Sequence, residues 1–355
     1  MPSDRIVVIG GGPAGLAAAR NVAELGLPVT LIEKSNQLGG TPIHEQYAAL
    51  THGFRDAESA LTEMSDLALR AGVDVRLETE LVASEGSAGQ FRLTLATAGT
   101  REPVATLEAG AIIIATGFQH FDPGRETQIY NYYTFPDVIT LSDAEAMLKA
   151  RRFVRPSNGA EPERVCFIQC VGSRDRQIGN EFCSKVCCGI ASKQAIEIKQ
   201  LVPSCKVFIF YIDMRMYGYW ENEIYWPAQE KYKVNYIKGI VTEVLAKGDK
   251  LLVRGEDTTM GRPMEVTMDI VILSVGMEPS QGTRAVAAVL GVKQNKYGFV
   301  EVPHESLDPT ATSVPGIFVA GAAAGPKDLD DTIGMAGLAA LRAITTVRRT
   351  AHPIA

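Results

Sequence analysis

The chain has 355 residues, of which 46% are apolar, and this is enough for two ordinary hydrophobic cores, so two domains are expected. Its net charge of −6 comes without a basic patch, which argues against nucleic-acid binding. The apolar runs 111–115 and 207–212 are far shorter than the roughly 18 residues that cross a bilayer, and a strand beginning at Arg5 leaves no room for a signal peptide. A soluble cytoplasmic protein without direct membrane insertion is therefore predicted.

The first strand, residues 5–10, leads through a glycine-rich turn into a helix predicted for residues 16–25. The turn consists of Gly10, Gly11, Gly12, Pro13, Ala14 and Gly15. Strand, G-x-G-x-x-G and helix follow in the order that a dinucleotide site needs, because the glycines permit a tight turn and close approach of a pyrophosphate, which the positive helix end attracts. A glycine turn without a ligand is the alternative.

A carboxylate follows the second predicted strand, residues 28–32. Glu33 comes eighteen residues after Gly15, at the position where an acid can accept a hydrogen bond from a ribose 2′-OH. Lys34 follows directly, but the acid at the strand end favours an unphosphorylated ribose.

Three later segments resemble FAD enzymes of the glutathione-reductase type. Gly39 and Gly40 match a glycine pair that lies near the flavin pyrophosphate in that family, and the main chain near Val82 matches the position that reads the adenine edge. An alternating stretch, 90–107, predicts a β-meander. It leads to the strand 111–115, and the turn Ala115, Thr116, Gly117 matches the place where that family closes its FAD domain.

The C-terminal segment resembles the second FAD fingerprint of the same family. Gly321 follows a strand and is expected to approach the ribitol phosphate, while Ala322 stands where most relatives have an aspartate. A helix extending to about residue 348 is predicted, with Asp331 as its N-cap. By resemblance, the amides of Thr332 and Ile333 direct the positive helix end toward the flavin pyrimidine.

The middle of the chain predicts a second dinucleotide-type domain that lacks its glycine motif. A loop at 122–136 and a helix at 142–151 come first. Strands at 165–170 and 207–212 then flank a helix at 187–201, with Asp213 at the usual acid position, but Gly172 and a group of cysteines replace G-x-G-x-x-G.

Four of these cysteines are spaced C-x12-C-x3-C-C, at Cys170, Cys183, Cys187 and Cys188. Thiolates at this density bind a soft metal or form disulfides. An iron–sulfur cluster is favoured, because the chain is long enough to fold without disulfides and its ends predict a flavin. Structural zinc, a redox disulfide and inert core cysteines remain open. Arg174, Arg176 and Lys185 add positive charge nearby, although a solvated loop is the alternative for them.

The cysteine segment, together with Lys193, resembles the A-type flavoprotein component of heterodisulfide reductase and its relatives. The resemblance implies that the four cysteines hold a 4Fe-4S cluster beside FAD and that Lys193 lies near the flavin N5, whereas an ordinary surface lysine is the alternative. Cys166 and Cys205 are expected to be buried structural cysteines that could substitute for a missing ligand. No C-x2-C-x2-C run is present, so the chain matches the compact form of this component, as in sulfur-oxidising complexes.

These observations predict an α/β, glutathione-reductase-like flavoprotein with two dinucleotide-binding-type domains, the second modified to bind an iron–sulfur cluster. Residues 1–120 and 281–355 are assigned to the FAD domain, and residues 121–280 to the inserted domain. By resemblance, the function is electron transfer between FAD and the cluster, with other heterodisulfide-reductase-like subunits as partners and a homodimer as the assembly. The alternatives are an NAD(P)H-dependent disulfide reductase that uses Cys187 and Cys188, a zinc-containing scaffold, and a component of a quinone-interacting complex of sulfate reduction.

Overall fold

The computed structural model describes residues 2–51, 53–100, 102–126 and 128–351. The chain forms two compact units. The first comprises Met1–His44, Ser59–Gln119 and Glu278–Ala355, and the second comprises Glu45–Glu58 and His120–Met277. The predicted boundaries after residues 120 and 280 fall close to the observed ones. The assignment of all of residues 1–120 to one domain needs correction, because Glu45–Glu58 packs with the second unit.

The strands are, in chain order, β1 (Ile6–Ile9), β2 (Val29–Ile32), β3 (Asp74–Arg76), β4 (Thr79–Glu85), β5 (Phe91–Thr97), β6 (Pro103–Ala109), β7 (Ala111–Ile114), β8 (Phe118–His120), β9 (Val138–Thr140), β10 (Arg164–Val171), β11 (Lys206–Tyr211), β12 (Asn235–Lys247), β13 (Lys250–Asp257), β14 (Arg262–Met268), β15 (Ile270–Val275), β16 (Met277–Pro279) and β17 (Ile317–Val319).

The helices are α1 (Pro13–Glu24), α2 (Thr41–His44), α3 (Ala57–Arg70), α4 (Pro123–Glu126), α5 (Leu141–Lys149), α6 (Cys187–Leu201), α7 (Trp226–Glu230), α8 (Gln281–Leu290) and α9 (Leu329–Ala351). Shorter helical turns are Gln128–Tyr130, Glu221–Tyr225 and Gly321–Ala324. Among the described helices, none is both long and apolar enough to span a membrane.

The first unit is built on a parallel sheet with the strand order β17-β7-β1-β2-β3. Strands β1, β2 and β7 are buried along their whole length, because their β-branched residues are covered on both faces of the sheet. Helices α1 and α9 pack beside this sheet. The predicted meander is present as the antiparallel sheet β4-β5-β6.

The second unit contains a seven-stranded sheet with the order β14-β13-β12-β11-β10-β15-β9. Strands β9, β15, β10, β11 and β12 run parallel, and β13 and β14 extend the sheet as antiparallel hairpins. Helices α5 and α6 contact the parallel strands. One core cluster on this sheet includes residues of α5 and α6, and a separate cluster surrounds Phe121 and Met268.

The helices differ from the predictions at several points. Helix α5 begins at Leu141 because Thr140 and Asp143 form a capping box. The predicted loop 122–136 contains the short helix α4 and a helical turn. The prediction of Asp331 as N-cap is wrong, because α9 begins at Leu329 and the Asp328 carboxylate accepts from the Asp331 amide at 2.8 Å.

Candidate functional site

The glycine turn between β1 and α1 leaves no space for side chains at two positions. A Cβ on Gly10, which has φ +111°, would lie 2.3 Å from the Ala115 carbonyl oxygen, and one on Gly15 would lie 1.8 Å from the Gly10 oxygen. Gly12 precedes α1, and Pro13 and Ala14 begin it, so the first-turn amides of α1 have no partner within the helix. This is the geometry that binds a phosphate.

Glu33 is buried at the end of β2 and faces the glycine turn. One carboxylate oxygen accepts from the Gly11 amide at 2.6 Å, and the other accepts from the amide and hydroxyl of Ser35, both at 2.8 Å. A carboxylate has about four acceptor positions, so a ribose hydroxyl can still donate to it. Lys34 is exposed.

The Gly39 and Gly40 pair packs against the same turn. Gly39 donates from its amide to the Gly11 carbonyl at 2.9 Å. A Cβ on Gly40, at φ +63°, would lie 2.7 Å from the Gly12 Cα atom. The structure therefore brings together two glycine segments that lie more than twenty residues apart in the sequence.

Val82 occupies an irregular position on β4. Leu81 pairs with Leu95 and Ala83 with Thr94, so the register shifts at Val82. A bulge leaves its extra residue outside the regular hydrogen-bonding ladder. The main chain at Val82 therefore suits the predicted adenine contact, which stays a prediction.

The turn Ala115, Thr116, Gly117 is held by two residues that were not predicted, Ser280 and Thr283. The Thr116 hydroxyl lies 2.7 Å from that of Thr283, and the Thr283 hydroxyl donates to the Gly117 carbonyl at 3.0 Å. Ser280 donates to the Thr116 carbonyl at 3.0 Å and also caps α8. The sequence pattern that could have identified these two residues is a serine followed three positions later by a threonine, because this is the spacing of a helix cap.

The C-terminal fingerprint also converges on α1. A Cβ on Gly321, at φ +67°, would lie 2.8 Å from Ala14 Cβ and 3.2 Å from Thr332 Cγ2. Ala322 is buried and Ile333 is 38% exposed. The Thr332 amide donates to the Asp328 carbonyl at 3.0 Å, so it is engaged within α9. That the amides of Thr332 and Ile333 face the flavin pyrimidine stays a prediction.

In the second unit, a β-bulge positions Cys170. Ile168 pairs with Leu273 and Val171 with Val275, so Gln169 and Cys170 together face Ser274. Cys170 adopts φ +63°, which is unfavourable for a residue with a Cβ. A bulge of this kind redirects a side chain, and strained backbone of this kind is concentrated at functional sites.

The twelve residues between Cys170 and Cys183 fold back as a small hairpin. The Arg174 amide donates to the Phe182 carbonyl, and the Asp175 amide donates to the Asn180 carbonyl, both at 2.9 Å. The hairpin therefore returns Cys183 toward the end of β10. This is the physical reason for the long spacer in the cysteine pattern.

Cys187 and Cys188 form the first turn of α6, as predicted, and both are buried. The Cys187 thiol contacts the Val275 carbonyl at 3.8 Å. Ser184, also missed by the sequence analysis, anchors the approach to the helix, since its hydroxyl accepts from the Met277 amide at 2.9 Å. The N-cap residue Val186 makes no side-chain cap, so the positive end of α6 is available to a thiolate.

The thiols influence one another electrostatically. Burial raises the pKa of Cys170, and the charge of Cys183 raises it further, against the opposing effect of Arg174. Burial likewise raises the pKa of Cys188 to about 11, with Cys170 and Cys183 adding to the shift. The pKa of Cys187 is raised well above its usual value by burial and by the other three thiolates. Four soft donors that repel one another as thiolates are a donor set that a metal cation stabilises.

All six cysteines are free thiols. Within the described ranges, no group of three or more His, Cys, Asp or Glu side chains is arranged to hold a metal ion. The chemistry of the donor set fits an iron–sulfur cluster, but the predicted ligation by these four cysteines stays a prediction.

Cys166 and Cys205 are both fully buried, as predicted. Cys166 belongs to the core cluster that contains Phe121, whereas Cys188 belongs to the cluster that contains α5 and α6. Cys205 directly precedes β11, whereas Cys170 lies at the carboxyl end of the parallel neighbour β10. Neither position supports a role as substitute ligand.

The three predicted cations have different surroundings. The Arg174 guanidinium pairs with both oxygens of Asp213 and lies 3.9 Å from the Cys170 sulfur. Lys185 donates from its amide to the Cys183 sulfur at 3.3 Å, and its ammonium group lies over Tyr217. Arg176 is 91% exposed, which matches the solvated-loop interpretation.

Asp213 stands where a dinucleotide domain places its ribose-binding acid, but here it is paired. Burial acts to raise its pKa, and the hydrogen bonds from Arg174 and Arg215 outweigh burial, so the pKa is lowered. Because Arg174 also contacts Cys170, this acid supports the cysteine loop.

Lys193 is 1% exposed, so the interpretation as a surface lysine is wrong. Its ammonium group lies 2.5 Å from Glu145, donates to the Ala49 carbonyl at 2.8 Å and lies 3.4 Å from Glu197. Glu145 was not predicted as a partner of Lys193, although it occupies a core-facing position of α5 four residues after Leu141.

Comparison with known proteins agrees with the fold. Residues 4–168 match the family model described as pyridine nucleotide-disulphide oxidoreductase. The thioredoxin reductase of T. acidophilum superposes with a TM-score of 0.65 at 20% identity and covers 97% of this chain and 99% of its own. That of Lactococcus lactis superposes with a TM-score of 0.63 at 19% identity and covers 98% and 100%. The predicted two-domain flavoprotein fold is confirmed.

The names of the sequence relatives are more specific than the description of the family model. The A-type component of the H2:CoB-CoM heterodisulfide,ferredoxin reductase of Methanothermobacter thermautotrophicus is 40% identical over 67% of this chain and 37% of its own length. An A-type iron-sulfur component of the CoB-CoM heterodisulfide reductase of Methanopyrus kandleri is 30% identical over 97% of this chain and 64% of its own. The chain thus spans between about a third and two thirds of these relatives. It is a relative of the A-type components of heterodisulfide reductases, as the cysteine segment predicted.

Proposed function

We propose that the chain is an oxidoreductase subunit that transfers electrons between FAD, bound by the first unit, and a 4Fe-4S cluster held by Cys170, Cys183, Cys187 and Cys188. One observation carries this proposal. In the first unit the connection from β1 to α1 is a phosphate-type glycine turn, and in the second unit the corresponding connection from β10 to α6 carries four thiols. The same kind of helix N-terminus stabilises phosphate in one case and thiolates in the other.

The residues of the first unit bind and orient the flavin nucleotide. The turn of Gly10 and Gly12 and the pair of Gly39 and Gly40 admit a pyrophosphate, and Glu33 accepts from a ribose. Lys193, by resemblance, acts at the flavin N5. When bound, the two cofactors supply an exchange between two-electron and one-electron transfer.

The test is anaerobic purification, followed by analysis of flavin, iron and acid-labile sulfide and by EPR spectroscopy after reduction with dithionite. We expect flavin, iron and sulfide together. Cys170→Ala, Cys183→Ala, Cys187→Ala and Cys188→Ala should each lose iron, whereas the buried controls Cys166→Ala and Cys205→Ala should keep it. Protein with flavin but no iron, or zinc in place of iron, contradicts the proposal.

A second candidate is an NAD(P)H-dependent disulfide reductase, which the match to the pyridine nucleotide-disulphide oxidoreductase family favours. The pairing of Asp213 with Arg174 opposes it, because the acid that would bind a nucleotide ribose is engaged. Adjacent cysteines such as Cys187 and Cys188 also form strained disulfides. Steady NADH oxidation by the purified protein would support this candidate.

We further propose that the chain works in the cytoplasm, as a homodimer, with other heterodisulfide-reductase-like subunits, and that the complex oxidises sulfur compounds. The names of the relatives, each one component of a larger reductase, support partner subunits in general. Co-purification of the tagged chain from its native cells would identify the partners, and light scattering would give the mass of the assembly.

A further inference from the structure

Two polar side chains are buried at the carboxyl ends of β10 and β15. Gln169 on β10 is 6% exposed, and Ser274 on β15 is fully buried. Among the described residues, no hydrogen-bond partner exists for the Gln169 amide nitrogen, for its amide oxygen or for the Ser274 hydroxyl. A buried polar group without a partner is costly, so its presence in a folded protein points to a further group that binds there.

Both side chains lie on the face of the sheet that α6 covers. Side chains alternate along a strand, so Gln169 shares a face of the sheet with Phe167, two positions earlier on β10. By the same rule, Ser274 shares a face with Ile272 on β15. Phe167, Ile272 and Cys188 belong to one core cluster. Gln169 and Ser274 therefore extend this face of the sheet from the core toward the carboxyl ends of the strands.

The thiols of the cysteine segment lie at the same end of the sheet. Cys170 directly follows Gln169 in the chain. Cys187 Sγ lies 3.8 Å from the carbonyl oxygen of Val275, which is the residue after Ser274. Each unpartnered side chain is thus next to a residue that carries or contacts one of the four thiols, and all of these residues belong to the second unit.

The chemistry of the two side chains suits the sulfur atoms of an iron–sulfur cluster. Thiolates and sulfides accept hydrogen bonds, whereas an amide NH2 group offers two donors and a hydroxyl offers one. A hydrogen bond to a charged acceptor is roughly twice as strong as one between neutral groups, so such an acceptor offsets the burial of both side chains. The contacts already present at the thiols have the same sign, since Lys185 donates to the Cys183 sulfur and the Arg174 guanidinium lies 3.9 Å from the Cys170 sulfur.

We propose that Gln169 and Ser274 donate hydrogen bonds to the sulfur atoms of the proposed 4Fe-4S cluster and thereby raise its reduction potential. This inference rests on the proposed function. Addition of one electron increases the negative charge on the sulfur atoms, and no covalent bond forms or breaks and no proton moves. The two donors therefore stabilise the reduced form more than the oxidised form, which makes the potential more positive.

Redox titration of the anaerobically purified, iron-containing protein, monitored by EPR, tests the effect on the potential. Gln169→Met keeps the length of the side chain without the donor, and Ser274→Ala removes the hydroxyl. In each variant we expect a more negative midpoint potential, by about a tenfold change in the reduction equilibrium, which is about 59 mV for one electron. An unchanged potential in either variant overturns the role of that side chain, and Ser274→Ala, the smaller change, serves if Gln169→Met does not fold.

Gln229→Met is the matched control. The amide nitrogen of Gln229 is also buried and lacks a partner within the part of the chain that the structure describes. Gln229 lies on α7, close to Tyr232, whose hydroxyl accepts from Gln200 in the last turn of α6 at 2.9 Å. It is therefore at the opposite end of α6 from the cysteines, and its substitution should leave the potential unchanged. A shift in Gln229→Met equal to that in Gln169→Met overturns the proposal, because any lost buried amide would then have the same effect.

Pulsed EPR of the reduced protein tests the contact itself. With nitrogen-15 in the glutamine side-chain amides, we expect a nitrogen-15 coupling to the reduced cluster in wild type and in Gln229→Met, and its loss in Gln169→Met. A coupling that persists in Gln169→Met, or that is missing in wild type, overturns the contact. Protein that purifies without iron contradicts the proposed function and removes the acceptor on which this inference depends, whereas iron-containing protein with unchanged potentials overturns this inference alone.

Discussion

Lys193 shows that the position of a residue in the sequence does not decide whether its side chain is buried or exposed. The sequence places it on a helix, where a long cationic side chain is usually solvated. In the structure it is almost completely buried, and its neighbours come from α5, from α6 and from the segment Glu45–Glu58. A buried ion pair is weak evidence for stability, but removal of one partner leaves an uncompensated charge.

Lys193→Met should therefore destabilise the folded protein by about 3–5 kcal/mol at pH 7, because Glu145 is left buried without its cationic partner. Urea unfolding followed by circular dichroism measures the change. Lys149→Met is the matched control, since Lys149 pairs with Glu58 on the surface, and such pairs contribute about 0–1 kcal/mol. Equal effects of the two substitutions would show that the buried pair is not coupled to folding.

Burial raises the pKa of Glu197, and this predicts a pH dependence of stability. The ordinary pKa of 4.5 applies to the unfolded chain and a pKa of about 7 to the folded one, so the folded state binds more protons between these values. The unfolding free energy should fall by roughly 3 kcal/mol as the pH rises through this window. Glu197→Gln should lose this contribution and be more stable than wild type at pH 8. Identical urea midpoints at pH 5 and pH 8 for both proteins would contradict the prediction.

At the scale of secondary-structure elements, two strand–turn–helix connections carry different residues: glycines lie between β1 and α1, and cysteines lie between β10 and α6. The β1–α1 connection and the β10–α6 connection were both predicted close to their observed positions, because apolar β-branched strands followed by helical patterns are strong local signals. The hairpin between Cys170 and Cys183 and the bulge at Cys170 were not predicted. Both depend on pairing with β15 and on main-chain contacts that residue patterns do not encode.

Gly40→Ala tests the flavin side at this scale. The new methyl group would lie 2.7 Å from Gly12 Cα, so the two glycine segments must separate and the pyrophosphate cradle must widen. We expect FAD affinity to fall about tenfold or more, which corresponds to roughly 1.4 kcal/mol. Fluorescence titration of the apoprotein with FAD measures this.

Gly72→Ala is the control for Gly40→Ala, because Gly72 also has a positive φ, of 92°, but among the described residues, its chain neighbours aside, no heavy atom lies within 4 Å of its added Cβ. The Gly72→Ala substitution should lower the free energy of unfolding and leave FAD affinity unchanged. A comparable loss of affinity in both variants would show that backbone strain alone, and not the clash with Gly12, weakens binding.

At the scale of the whole molecule, the two proposed cofactor sites are built from different units. The glycine turns, Glu33 and the C-terminal fingerprint belong to the first unit, and the four cysteines belong to the second. We therefore expect independent effects: Cys187→Ala should keep FAD and lose iron, and Gly40→Ala should keep iron and bind FAD more weakly. Flavin absorbance and iron analysis of the same samples measure both. Parallel loss of both cofactors in either variant would show that the sites depend on each other for folding.

The sequence by itself determined the two-domain flavoprotein fold, the dinucleotide turn at Gly10 and the start of α6 at Cys187, because short glycine and apolar patterns act within a few residues of the chain. Only the tertiary structure decided the membership of Glu45–Glu58 in the second unit, the contact of Gly40 with Gly12 and the burial of Lys193 between two glutamates. These features join residues that are distant along the chain, and burial, which sets their pKa values, is a property of packing and not of local pattern.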